Sequence, residues 1–197
     1  MPIKSLSQSS LTNFQKYSSM LAGNAAFSPS AYDLLETQVL GTAAASVTFT
    51  GLGSYTEYKH LQIRAVARTD KAASNDTVYL QFNSDTGSNY ANHSLVGIGS
   101  QANSSAGAST TYIYGLIATG ATEPTNAFSA AVIDILDFSS TSKNTTVRNL
   151  NNWNTNQIRL DSGVWLNTNA VTSVTLDPSS SDFIAGSRFS LYGIRGA

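Results

Sequence analysis

The sequence predicts an all-β protein: an antiparallel two-sheet, jelly-roll-like sandwich preceded by a short N-terminal arm or helix. Three observations carry this. Ser, Thr and Asn make up about a third of the 197 residues, whereas charged residues make up 12%, half the usual globular share of ~25%. Short polar side chains suit turns and the outer faces of strands, while soluble helices rely on Glu, Lys and Arg. From Asp33 onward apolar and polar residues alternate with a period of two, the spacing of a half-buried strand. Ten or eleven such runs follow one another, separated by turn-forming residues and with no helical pattern between them. A propeller or β-helix would need an internal repeat, and the chain has none.

Residues 1–32 stand apart. Leu11, Phe14, Tyr17 and Leu21 recur at spacings of three, three and four, one face of a short helix that Ser9 or Ser10 is placed to cap. Helix propensity over KYSSML is mediocre, so the segment does not hold alone. Its stripe marks either an anchoring arm or a terminal helix packed on its own domain. AGNAAFSPSAY then reads as a linker.

The sandwich domain is assigned to residues 33–197. LLETQVL and SVTFT open it. YKHLQIRAVART sets Leu61, Ile63, Ala65 and Ala67 on one face and His60, Gln62, Arg64 and Arg68 on the other, and TVYLQF points Val78, Leu80 and Phe82 inward. The remaining strands are expected in HSLVGIG, TYIYGLIA, AFSAAVIDILDF, TTVRNL, GVWLN, VTSVTL and SRFSLYGI. SQANSSAGAST and DPSSSD read as the turns between them.

Bulk properties exclude several classes. Eleven basic against twelve acidic residues give a formal net charge of −1, too little field to attract nucleic acid. Without cysteine there is neither a disulfide framework nor a thiolate metal site. The N-terminus has no continuous apolar run of the secretory kind, and no stretch reaches the ~18 apolar residues of a membrane span. Synthesis as a soluble cytoplasmic product, without membrane insertion, is expected.

Chemistry finds little support. His60 and His93 are the two histidines, set beside neither a nucleophile nor a metal-type partner spacing. Asp134 and Asp137 lie three apart, so a strand would send them to opposite faces. No phosphate-binding glycine loop is present. Trp153, flanked by Asn151 and Asn152, has the composition of a sugar-stacking site, although a Trp closing the end of the sandwich is the simpler reading. Trp165 is expected in the core or at a subunit contact. NSDTGSNY, residues 83–90, holds one carboxylate, Asp85, and its twelfth position is Ser94 where a calcium loop needs Glu. It therefore reads as a β-connection in which Asp85 accepts a local N–H, Gly87 takes φ > 0 and Tyr90 anchors the next strand.

The strings YKHLQIRAVARTD (58–70), LQFNSDTGSNYANHSL (80–95), AAVIDILDF (130–138) and SRFSLYGIRGA (187–197), in that order, resemble a group of small virion structural proteins of tailed bacteriophages, of the kind found in phages of aquatic bacteria including cyanobacteria. QKYSSMLAGNAAF (15–27) resembles the leader that precedes such domains. The resemblance implies a structural role in the virion, with no enzymatic activity and no cofactor. A neutral sandwich with an apolar-striped arm then suits capsid decoration, a cement protein docked on the major capsid protein through Leu11, Phe14, Tyr17 and Leu21. Strand edges are managed by closure or by packing against copies, so a homo-oligomer, most plausibly a trimer, is expected. The alternative is a tail-fibre or baseplate module recognising a host surface glycan through Trp153, Asn151 and Asn152. The absence of an encoded shaft favours decoration.

Overall fold

A computed structural model describes residues 31–153 and 157–196. The chain divides into two compact units, Met1–Asp33 and Leu34–Ala197. The arm stripe Leu11, Phe14, Tyr17 and Leu21 lies outside the described residues.

Twelve strands are formed among the described residues: β1 (Tyr32–Val39), β2 (Val47–Phe49), β3 (His60–Ala67), β4 (Asn75–Phe82), β5 (Tyr90–Ile98), β6 (Gln101–Thr110), β7 (Ile113–Thr119), β8 (Ser129–Leu136), β9 (Thr145–Trp153), β10 (Gln157–Trp165), β11 (Val174–Pro178) and β12 (Arg188–Ile194). They build an eight-stranded sheet, β1-β12-β3-β8-β9-β10-β5-β6, and a four-stranded sheet, β2-β11-β4-β7. Every register given within them is antiparallel.

The pairing is nested. β1 pairs with β12, β2 with β11, β3 with β8 and β4 with β7, while β12–β3 and β11–β4 contacts complete each sheet. This is a long hairpin ribbon wrapped into two sheets, which is the jelly roll. Two hairpins are inserted into it, β5–β6 between β4 and β7, and β9–β10 between β8 and β11. Both add to the same side of the larger sheet, which therefore extends four strands beyond β8.

The period-two pattern accounts for the core. Leu61, Ile63, Leu80, Phe82, Ile133 and Phe189 point between the sheets and are fully buried. Trp165 is also core, 1% exposed, with its ring 5.6 Å from that of Phe82. Arg68, just past β3, is 3% exposed. Its guanidinium donates to the carbonyls of Ala121, Glu123, Pro124 and Ala127, tying down the β7–β8 connection.

Two expectations are corrected. SQANSSAGAST is not a turn: Gln101–Thr110 is a ten-residue strand, almost wholly exposed. An end strand that buries neither face needs no apolar residues, so the period-two signal that reveals other strands is missing. The connection after TVYLQF does not join neighbouring strands, because β4 lies in the small sheet and β5 in the large one.

Candidate interaction surface on the extended sheet

Extension of the large sheet creates two unusual faces. The inner one meets the end of the small sheet, where β7 has a neighbour on one side only. Gly163 on β10 makes the approach feasible: a Cβ there would sit 2.5 Å from the Ile113 side chain. Several inward residues of β5, β9 and β10 are buried and polar, and three of them, Asn92, Asn149 and Asn151, engage the open edge of β7. Asn92 Oδ1 accepts the Tyr114 N–H at 3.0 Å, and its Nδ2 donates to the Tyr112 carbonyl at 2.8 Å. These are the two groups, one on either side of Ile113, that an adjacent strand would engage. Asn149 Nδ2 donates to the Tyr114 carbonyl at 2.6 Å, and Asn151 Oδ1 accepts the Ile117 N–H at 3.4 Å.

The network continues inward. Asn151 Nδ2 donates to Asn149 Oδ1 and to Asp161 Oδ2. Asp161 Oδ1 accepts the Ser94 hydroxyl at 2.5 Å and Arg159 Nε at 2.6 Å, and the Arg159 guanidinium lies 4.1 Å from the centre of the Tyr114 ring. Asp161 is 3% exposed, so its charge is held by a cation and two hydrogen-bond donors, as burial demands. The asparagines therefore close a sheet edge.

The outer face is different. Arg64, Val132, Leu150, Leu160, Leu95 and Ser104 are successive cross-strand partners from β3 to β6. The four apolar members are 39%, 49%, 52% and 54% exposed in that order. A parallel row, Val66, Ala130, Asn152, Ile158 and Gly97, runs beside it and adds two further exposed apolar side chains, Val66 and Ile158. Shallow depressions lie along this surface, one over Val132, Leu150 and Ile158 and another between Leu95, Leu160 and Arg148. Opposite charges face each other at its margin, where Asp134 and Arg148 are cross-strand partners. Contiguous exposed apolar surface with a polar rim is the usual mark of a contact site.

The glycan constellation is taken apart. Asn151 is 2% exposed and turned toward β7. Asn152 faces outward, its Oδ1 accepting the Ala130 N–H. Trp153 is half-buried and donates its indole N–H to the Ser74 carbonyl at 2.9 Å. Neighbours on a strand point to opposite faces, so adjacent asparagines do not share one sugar.

His60 accepts the Asp137 N–H at Nδ1 (2.9 Å), closing the end of β8. The Lys143 ammonium binds Asp137 and, chiefly through that hydrogen bond, holds its carboxyl below the ordinary range. His93 lies exposed on the outer face beside Ser162 and Ala106. Asp134 Oδ1 accepts from Gln62 Nε2. Among the described residues no three His, Asp or Glu side chains group as a metal site.

In residues 83–90, Asp85 accepts the Gly87 N–H at 2.9 Å, the Asn89 amide and the Trp165 indole N–H at 2.8 Å. These donors, the Trp165 bond foremost, depress its carboxyl below the ordinary value. Tyr90 anchors β5 as expected, with its hydroxyl donating to the Asp85 carbonyl and accepting the Phe82 N–H. The left-handed residues are Asn83 and Ser84, at φ 52° and 57°, rather than Gly87. A Cβ at Gly87 would lie 2.8 Å from Asn89 Nδ2, so a larger residue there would displace the Asn89 amide from Asp85. Asn83 also binds the chain at Ala170, Thr172 and Ser173. The loop is a structural staple.

Asn92, Asn149, Leu95, Leu150 and Leu160 were not singled out by the sequence. Their signal was present as a polar residue at inward positions and an apolar one at outward positions of the same strands, legible only once the facing was known. No family model matches the chain, and no curated protein matches it.

Proposed function

We propose that the chain is a structural component of a phage particle, a decoration or cement protein that docks by its N-terminal arm and uses the outer face of the extended sheet as its protein contact. The observation that carries this reading is the uncharged ladder Val132–Leu150–Leu160–Leu95, exposed across four strands. An apolar row of this kind serves burial against another protein. The phage assignment itself rests on the strings that resemble virion proteins. The partner is another virion protein, the major capsid protein in the decoration reading or a tail or baseplate component otherwise, and the site of action is the virion. The decoration reading is preferred to glycan recognition because Asn151 serves the β7 edge and the Trp153 indole N–H is bonded to Ser74.

The test is co-sedimentation of the purified chain with particles stripped of it. Deletion of residues 1–30 should abolish binding while leaving a folded protein. Both leucines are about half exposed, so contact burial gains roughly 1 kcal/mol from each. The double substitution Leu150→Lys, Leu160→Lys should therefore weaken particle binding about 30-fold without unfolding the chain. Unchanged binding of both variants refutes the docking scheme, and release of oligosaccharide from host polysaccharide refutes the structural role.

A further inference from the structure

We propose that β6 is a self-pairing edge: two copies join β6 to β6, antiparallel about a two-fold axis at Ser104, into one continuous sheet. This goes beyond the particle reading and does not rest on it. β6 is hydrogen-bonded to β5 on one side and is the last strand of its sheet. Alternate residues of an antiparallel strand direct both backbone groups away from the neighbour, so about five residues of β6 offer N–H and C=O to solvent. Such an edge templates another strand unless something protects it.

Comparison with the other three edges is decisive. β7 is covered by the side chains of Asn92, Asn149 and Asn151. β2 is three residues long, and Gln38 Nε2 donates to its Thr48 carbonyl at 3.0 Å. β1 carries Asp33 and Glu36. β6, QANSSAGAST, has no charge, no proline and no covering group among the described residues, and it is the longest strand. Its one irregularity is the bulge opposite Tyr90 and Asn92, with Ser109 at φ 55°, which bends only the far end. Residues 101–107 stay in unbroken register with β5.

The occupant that fits is a second copy. Centred on Ser104, antiparallel pairing sets Asn103 against Ser105, Ala102 against Ala106 and Gln101 against Gly107 of the second copy. No like charges meet and no large side chain obstructs. The two outer ladders also become one, because Ser104 is the last member of the row that runs through Leu95, Leu160 and Leu150. A two-fold contact is isologous and closed, so it builds a dimer in place of the trimer expected from sequence.

The full-length chain is examined by size-exclusion chromatography with light scattering. The expected mass is twice the 20.8 kDa chain. Ser104 is exposed, so Ser104→Lys and Ser104→Glu leave the fold intact. Each places like charges opposite one another and should weaken the dimer a few-fold, up to about five-fold, and an equimolar mixture of the two should restore it. The chain has no cysteine, so Ser104→Cys should cross-link under mild oxidation much faster than the exposed control Ser142→Cys. A wild-type mass of one chain at every concentration overturns the proposal, as does a trimer indifferent to Ser104→Lys or equal cross-linking of the two cysteine variants. None of these outcomes touches particle binding by the arm, which is scored separately.

Discussion

Replacing Asn92 by alanine tests whether side chains substitute for a strand along β7. Asn92 is 6% exposed and its amide meets the Tyr114 N–H, the Tyr112 carbonyl and Thr110 Oγ1 at 2.8–3.0 Å. After truncation Tyr112 keeps an alternative donor, the Thr110 hydroxyl at 2.9 Å, whereas the Tyr114 N–H is left without its acceptor. A buried unsatisfied donor costs about 1–3 kcal/mol and the lost bonds about 1 kcal/mol more, giving a destabilisation of about 2–4 kcal/mol. At about 2–4 °C per kcal/mol for a domain of this size, Tm should fall by about 5–15 °C. Urea and thermal unfolding followed by circular dichroism provide the measurement, with exposed Asn169→Ala as control. Asn92→Asp adds a second check. The Asn92 site is 6% exposed and the described partners of its amide include no cation, so burial should raise the folded-state pKa of the new carboxyl above the unfolded value. The charge therefore destabilises the fold above that folded-state pKa, and acidification should recover stability for this variant relative to Asn92→Ala. An Asn92→Ala stability within about 0.5 kcal/mol of the control, the scatter of neutral surface changes, would refute the edge-capping argument.

Two further perturbations probe the connections. Arg68→Lys keeps the charge but cannot reach four carbonyls with one ammonium, so a loss of about 2–4 kcal/mol is expected in urea unfolding, together with faster proteolysis across residues 121–127; an unchanged midpoint contradicts the strut role. Asp85 has a folded-state pKa below its ordinary 3.8, so its carboxylate contributes stability that is present above that value and lost as pH falls through the folded-state pKa. The stability gap between wild type and Asp85→Asn should thus be full at neutral pH and close below about pH 4; a gap that persists at the acid limit means the contacts do not depend on charge.

Much of the strand content was legible because the signal is local. Leu61, Ile63 and Ala65 alternate with polar neighbours whatever the rest of the chain does, and one face of β3 must then be buried. Trp165 lies in the core, one of the two places expected of it, and Tyr90 anchors β5 as expected, because a large aromatic side chain on a strand seeks burial while a tyrosine hydroxyl finds a partner. β6 escaped because a strand exposed on both faces leaves no periodic trace. Gly87 was misread because composition names the residue able to adopt φ > 0, while the path of the chain between two sheets chose Asn83 and Ser84. The asparagines misled in a third way. NLNN around Trp153 has the composition of a polar surface, yet alternate members face the interior.

By itself, then, the sequence determined that the domain is built of strands, that the alternating residues of β3 and β4 such as Leu61, Ile63, Leu80 and Phe82 enter its core, and that it lacks the charge and thiol chemistry of several functional classes. All of these depend on side-chain type and spacing along the chain. Tertiary structure alone decided which sheet each strand joins, and so which face Asn92, Asn149, Leu150 and Leu160 present and which edges stand open. The reason is that a strand has two faces and two edges, and only its neighbours in space, contributed here by the inserted hairpins β5–β6 and β9–β10, settle which of them are buried.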